Sequence, residues 1–277
     1  MRYDFTKVAS VLKESMELIQ ARRAARGDHW KLKHDGSLLT EIDPANEEFL
    51  RQALTADGEC FIGEESIERN GKDYLQQALQ AETWVVDPID GTAPFAHHLP
   101  LWGISLGYMV NGVIQDGAIA LPDLGQCFLT DGGAVRMATG IEAPVADWQW
   151  HTLEKPEDGW NPGRMITLGQ RFTRQKPVPF PNPLLTPGSA VHSLSCLLTN
   201  NAIAYIGHVK LWDIAGVLPM LCHLGFRMQL LDGRFMTENI LKDNCFDLDA
   251  ASPHCWALKD TFVCAQPIVH EYVRARL

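Results

Sequence analysis

One nine-residue stretch, Trp84-Val85-Val86-Asp87-Pro88-Ile89-Asp90-Gly91-Thr92, constrains this chain more than any other. Its apolar residues read as a buried strand that delivers two carboxylates, three positions apart, into a turn. Pro88 fixes one backbone dihedral between them. Gly91 lets the chain turn sharply, so the amides of Gly91 and Thr92 are free to face an anion. Hard divalent cations take oxygen ligands, and magnesium commonly combines few carboxylates with water and substrate phosphate. Asp87 and Asp90 could share a pair of ions, with the Ile89 carbonyl as a further oxygen. Asp-Pro and Asp-Gly are also common turn formers, so the stretch alone suits a plain turn equally well.

Other acids stand in similar settings. Phe61-Ile62-Gly63-Glu64-Glu65 is again a short apolar run ending in carboxylates. Leu211-Trp212-Asp213-Ile214 places an acid at a helix start, where it can cap the helix or turn a free oxygen toward a metal. In Thr40-Glu41-Ile42-Asp43-Pro44, Asp43 reads as an N-cap with Pro44 as the first helical residue.

The chain carries a formal charge of −10. That speaks against nucleic acid as the main partner. It also repels an anionic substrate unless a bound divalent cation reverses the local sign. No apolar run approaches the ~20 residues needed to span a bilayer. The first residues lack the apolar core of a signal peptide, so the expected location is the cytoplasm. The seven cysteines form no CxxC pair, which argues against both a disulfide framework and a zinc site.

Around these acids the periodicity predicts a helix over 6–26, with Arg22, Arg23 and Arg26 suiting its C-terminal dipole and Gly27 as its stop. A second helix follows Asp43. Strands are expected at 60–62, 84–86 and 102–110, then a hairpin through Asn111-Gly112 into 113–120, and another strand at 126–130. The pattern weakens over 142–187, where the prolines, Pro177 among them, mark loops and a subdomain junction. Beyond it come a helix at 191–198, strands at 202–206, 226–231 and 261–265, and a helix at 214–223 that Pro219 should kink or shorten. The expected division is 1–145, an α+β unit with an antiparallel sheet and most of the metal ligands, and 146–277, an α/β unit carrying Asp213 and a pocket for the substrate alcohol.

The order of these segments, an Asp, then Glu-Glu, then Asp-Pro-Ile-Asp-Gly-Thr, then Trp-Asp, resembles the signature of the inositol monophosphatase family of lithium-sensitive, magnesium-dependent phosphatases. The resemblance runs from about Asp35 to the C-terminus and extends to Gly188-Ser189-Ala190 and to the Ile104-Ser105-Leu106-Gly107 strand. It implies a mixed α/β (α+β) fold, a layered αβαβα sandwich of the inositol monophosphatase and fructose-1,6-bisphosphatase type, and hydrolysis of a small phosphate monoester with two to three magnesium ions. Glu64, Asp87 and the Ile89 carbonyl resemble the ligands of one ion, and Asp87, Asp90 and Asp213 those of a second. Glu64 and Asp43 would support a third, largely through water. Thr92 with Asp43 resembles the pair that orients and deprotonates the attacking water, and Glu65 lies in the sequence where a residue near that water is expected. The amides of Gly91 and Thr92 would hold the phosphate, and Gly188, Ser189 and Ala190 would contact the alcohol. Relatives commonly form homodimers.

The chain departs from the family before Trp212. Inositol phosphatases usually carry a Glu there, whereas Tyr205-Ile206-Gly207-His208-Val209-Lys210 contains no acid. Lys210 could meet a second anionic group of a substrate, and His97 and His98 are expected at the mouth of the site. Histidinol phosphate, fructose 1,6-bisphosphate and 3′(2′)-phosphoadenosine nucleotides are therefore alternative substrates. A catalytically idle regulatory partner is the alternative from outside the enzymes. A calcium module fits less well, because the Asp-x-Asp-x-Asp-Gly spacing is missing.

Overall fold

The computed structural model describes residues 3–26, 30–33, 38–67, 72–174 and 178–277. Gly27, Asp35 and Pro177 lie outside the described residues, as does the side chain of Arg26.

The chain opens with α1 (Phe5–Arg26), a short antiparallel pair β1 (Trp30–Leu32) and β2 (Leu38–Thr40), and α2 (Ile42–Leu54). A seven-stranded sheet follows in sequence order: β3 (Cys60–Gly63), β4 (Glu82–Asp90), β5 (Gly103–Val110), β6 (Val113–Leu121), β7 (Gln126–Asp131), β8 (Ala134–Thr139) and β9 (Gln149–Thr152). Helices α3 (Lys72–Gln80) and α4 (Thr92–Ala96) interrupt it. Strands β3 and β4 run parallel, and every later neighbour in this sheet is antiparallel. The β5–β6 hairpin turns at Asn111 and Gly112, both left-handed at φ 50 and 73, as the Asn-Gly pair leads one to expect.

A second sheet is built from β10 (Met165–Leu168), β11 (Leu184–Leu185), β12 (Ala202–Gly207), β13 (Arg227–Leu230) and β14 (Phe262–Ala265), in the order β11-β10-β12-β14-β13. Between its strands lie α5 (Gln170–Thr173), α6 (Ala190–Leu198), α7 (Leu211–Ala215), α8 (Leu218–His223) and α9 (Ile240–Asp243), and α10 (Pro267–Arg274) closes the chain.

The side-chain period of two assigns the layers. Trp84, Val86, Ile104, Leu106 and Tyr108 face α1 and α2, meeting Val8, Leu12, Ile19, Leu50 and Leu54. Val85, Met109, Ile119 and Phe128 face the other way, onto Leu194, Trp212 and Leu218, which also cover Tyr205, Met228 and Phe262 of the second sheet. The far side of that sheet, with Ile206, Val263 and Ala265, is sealed by Val269 and Val273 of α10. The layers therefore run α, β, α, β, α. No described helix is long and apolar enough to cross a membrane.

Three expectations need correction. Helix α2 starts at Ile42 with Glu41 as its N-cap, because the Asp43 carboxylate is engaged elsewhere, and Pro44 falls third in the first turn, where amides have no intrahelical acceptor. The helix expected over 214–223 is two, α7 and α8, and Pro219 sits in the first turn of the second. The stretch 142–187 is not all loop. It holds β9, β10, α5 and β11, of which the longest has four residues, too short for a period to register.

Candidate active site

Strand β4 runs straight through the motif instead of ending before it. Residues three apart on a regular strand face opposite sides. Asp87 pairs with Ser105 and Asp90 with Gly103, and the register shifts between the two pairs. This bulge at Pro88 and Ile89 turns both carboxylates into one pocket. Asn46 of α2 braces it by donating Nδ2–H to the Pro88 carbonyl at 3.0 Å, and Asn46 is held by the Ser15 hydroxyl at 2.8 Å.

Asp213 arrives from the other sheet's side. It sits in the first turn of α7, and Ser105 of β5 docks that helix: its hydroxyl donates to the Trp212 carbonyl at 2.7 Å and accepts the Gly216 amide at 3.1 Å. Gly107 permits the approach, since a Cβ there would lie 2.5 Å from that of Ala215. Carboxylate oxygens of Asp87, Asp90 and Asp213 consequently lie within 4.8 Å of one another.

Each of the three acids has one oxygen fixed by a backbone amide. Ile89 N–H donates to Asp87 Oδ1 at 3.0 Å, Val191 N–H to Asp90 Oδ2 at 2.7 Å, and Lys210 N–H to Asp213 Oδ2 at 2.8 Å. The Ser189 hydroxyl also donates to Asp90 Oδ2. Burial, then the charges of Glu64, Asp90 and Asp213, hold the Asp87 carboxyl well above the usual range. Asp213 is raised likewise by burial, Asp90 and Glu64, while Lys210 pulls it the other way. Asp90 is pushed up by burial to about 6, against the Ser189 hydroxyl and the Val191 and Ala190 amides. Three carboxylates gathered where each opposes the ionisation of the others form a pocket suited to added positive charge. The donors are all oxygen, with no His or Cys among them, which fits a hard cation such as magnesium or manganese and not zinc or copper.

Beside the cluster, Thr92 begins α4 after Gly91, whose left-handed backbone (φ 88, ψ 46) leaves no room for a side chain: a Cβ would sit 2.7 Å from that of Ser189. The Thr92 hydroxyl lies 3.1 Å from Asp43 Oδ1 and 3.2 Å from the Ile89 carbonyl. Asp43 Oδ2 accepts the Thr40 amide at 3.0 Å and the Thr40 hydroxyl. Burial raises the Asp43 carboxyl to about 6, opposed by Thr40.

Glu64 follows β3 and is held 3.1 Å from Lys33 Nζ, which lies 2.6 Å from Glu65. Burial and Glu64 push Glu65 up to about 7, against the pull of Lys33. Glu64 bears electrostatically on Asp43, Asp87, Asp90 and Asp213, while the acids whose oxygens gather at ligand distance are Asp87, Asp90 and Asp213. Gly188, Ser189 and Ala190 form the entry to α6 next to them, with Ser189 as N-cap accepting from the His192 amide. Lys210 is the N-cap of α7, with its ammonium 5.3 Å above the Trp212 ring. His98 accepts from Arg23 Nε at 3.3 Å, and His97 meets Trp30 edge-on.

Sequence reasoning missed Lys33, Asn46 and Glu47, and it met Ser105 only as part of a strand resembling the family, with no role given to it. Glu47 of α2 is buried and accepts the Glu65 amide at 2.7 Å, a contact that Gly63 makes possible because any Cβ there would strike the Glu47 carboxylate. The Ser105 in an otherwise apolar β5 was the one available signal.

A layered αβαβα fold with a buried, all-oxygen acidic pocket at the edge of its first sheet is the class that sequence and geometry define. The model of the inositol monophosphatase family matches residues 3–271, and the chain belongs to that family, whose members are metal-dependent phosphoric monoester hydrolases. It is 29% identical over 208 residues to an inositol-1-monophosphatase of Mycobacterium bovis, which covers 69% of this chain and 68% of that protein. It is 34% identical over 121 residues to a histidinol-phosphatase of Chlorobaculum parvum, covering 41% of this chain and 42% of that relative, so the match spans less than half of it. The solved IMPase of Thermotoga maritima superposes with a TM-score of 0.69 at 19% identity, over 97% of this chain and 94% of that one, a likeness of fold.

Proposed function

We propose that this chain is a magnesium-dependent phosphatase of small phosphate monoesters. The observation that carries the reading is the meeting of Asp87, Asp90 and Asp213, distant in sequence, within 4.8 Å of one another beside the Thr92–Asp43 pair. Two to three magnesium ions held by Glu64, Asp87, the Ile89 carbonyl, Asp90 and Asp213, with Asp43 near a third, would neutralise substrate charge, acidify a bound water and stabilise the leaving alkoxide.

The protein's own groups do the rest. Thr92 orients the attacking water and hands its proton toward Asp43 Oδ1, 3.1 Å away. The Gly91 and Thr92 amides receive phosphate oxygens, because the left-handed Gly91 turns the chain without interposing a side chain. Ser189, by holding Asp90 Oδ2, keeps that acid aimed at the pocket while Gly188 and Ala190 flank the alcohol. Glu65, paired with Lys33, buffers the charge beside the water. Residence in the cytoplasm and a division into subdomains 1–145 and 146–277 belong to the same reading and rest on the sequence pattern, while assembly as a homodimer and lithium sensitivity rest on the family resemblance.

Phosphate release from inositol 1-phosphate, histidinol phosphate, fructose 1,6-bisphosphate and 3′-phosphoadenosine 5′-phosphate tests it. Turnover should require magnesium, vanish with EDTA, and fall at least ~10³-fold in Asp90→Asn. Turnover indifferent to EDTA, or intact in Asp90→Asn, contradicts the reading. Partner binding without hydrolysis of any ester would favour the regulatory alternative.

A further inference from the structure

We propose that the alcohol half of the substrate carries a second phosphate, and that Arg171, oriented by His208, receives it. This rests on the phosphatase reading and names the substrate class for the same site.

The pocket beyond the phosphate turn is assembled from the ends of two parallel strands. β10 leads through Gly169 into Gln170 and Arg171 at the start of α5, and β12 leads through Gly207 into His208. Close packing joins these ends to the acidic site. A Cβ on Gly91 would be 2.7 Å from that of Ser189, one on Gly188 would be 2.8 Å from Gln170 Nε2 and 3.4 Å from Pro94, and one on Gly169 would be 3.6 Å from the His208 amide. The turn at 91–92, the α6 entry at 188–190 and the residues 169–171 and 207–208 are therefore immediate neighbours.

What this rim offers among the described residues is the positive charge of Arg171, which no carboxylate there pairs with. Ile206 faces the opposite side of the second sheet and is fully buried, and Tyr205 is buried against Phe262 with its hydroxyl beside Gly169 and Gly207. Arg171 is exposed, and among the described residues no carboxylate lies within ion-pair distance of it. Its partner is His208, with Arg171 Nη1 3.5 Å from Nε2. Burial first, then Arg171, push the His208 pKa down against the opposing Leu258 backbone, which favours a neutral ring able to accept from the guanidinium. Asp260 and His254 bear on His208 as well, and Asp260 is engaged with the Thr261 amide at 2.7 Å.

In a chain of net charge −10, a guanidinium with no described carboxylate in ion-pair distance and an imidazole beside it has the makings of an anion receptor. The planar fork of Arg suits a phosphate bidentately. A polyol alone would give that charge nothing to meet. Lys210 bears on Asp213 and lies over Trp212.

Two matched pairs test the idea with the intact chain in magnesium: fructose 1,6-bisphosphate against fructose 1-phosphate, and 3′-phosphoadenosine 5′-phosphate against 3′-AMP. Wild type should favour the bisphosphate of at least one pair by about 10-fold or more in kcat/KM, and the preferred pair distinguishes a sugar from a nucleotide source. Arg171→Gln should reduce that preference about 10- to 100-fold, mainly through KM. His208→Leu should reduce it less, because the charge survives without its guide. Monophosphates hydrolysed as well as bisphosphates in both pairs, or a preference that survives Arg171→Gln, overturns the inference while leaving the phosphatase reading standing. Failure to release phosphate from any of the four while inositol 1-phosphate or histidinol phosphate is turned over overturns the inference alone, and failure on all of these esters overturns both.

Discussion

Asp87, Asp90 and Asp213 each spend one oxygen on a backbone amide, and that division of labour defines what the residues can do. The amides fix the carboxylates in place without supplying a countercharge, so like charges stay close and costly until a cation arrives. In Asp213→Asn the Lys210 amide keeps an acceptor while the repulsion disappears. The metal-free variant should then be more stable than wild type at pH 7.5 by roughly 0.5–2 kcal/mol, and should lose its melting response to magnesium. Thermal melts with EDTA and with magnesium check both halves. A less stable variant that still responds to magnesium would contradict the assignment. At this scale the acids were legible through the order of their segments, which resembles the family signature, since each segment alone read equally as a turn or a helix cap. The roles of Lys33, Asn46, Glu47 and Ser105 were not legible, since they come from partners 31, 42, 18 and 107 residues away.

Elements hold the site through two devices, the bulge in β4 and the docking of α7 on β5. The sequence showed a strand and two aspartates, but the bulge that brings Asp87 and Asp90 to the same side depends on pairing with β5 and could be read only as a turn. Helix α7 has five residues and little stability of its own, so its position comes from Ser105 and the Gly107–Ala215 approach. Ser105→Ala leaves the Trp212 carbonyl and the Gly216 amide without partners in a dry interior, at a cost of about 1–3 kcal/mol. Urea melts should register that loss, and magnesium titration should show weaker binding, because Asp213 rides on the loosened helix. Reduced stability with unchanged magnesium affinity would limit Ser105 to a structural role. The long strands, the Asn111-Gly112 hairpin and α6 were plain from periodicity. β9, β10 and β11, at four residues or fewer, were not.

The whole molecule stacks two sheets between three helical layers, and its acids are shared among the first sheet, the outer helix α2 and a helix of the middle layer. Their combined ionisation gives the metal-free protein a characteristic pH response. Asp43 and Asp90 are raised to about 6, Glu65 to about 7, and Asp87 and Asp213 well above their ordinary range, whereas unfolded carboxylates titrate near ~4. The folded chain therefore binds more protons than the unfolded chain across that window. These acids favour the fold fully below about pH 4, and that contribution is lost as pH rises through 6 and 7. Metal binding needs the ionised forms and releases the protons. Magnesium should thus raise the melting temperature more at pH 8 than at pH 5, and an equal or larger shift at pH 5 would contradict the account. The most direct test is the anomalous diffraction of crystals soaked in manganese. The account predicts density ligated by Asp87, Asp90 and Asp213, absent from Asp213→Asn. Saturating manganese that leaves this pocket empty while ester hydrolysis continues would contradict it.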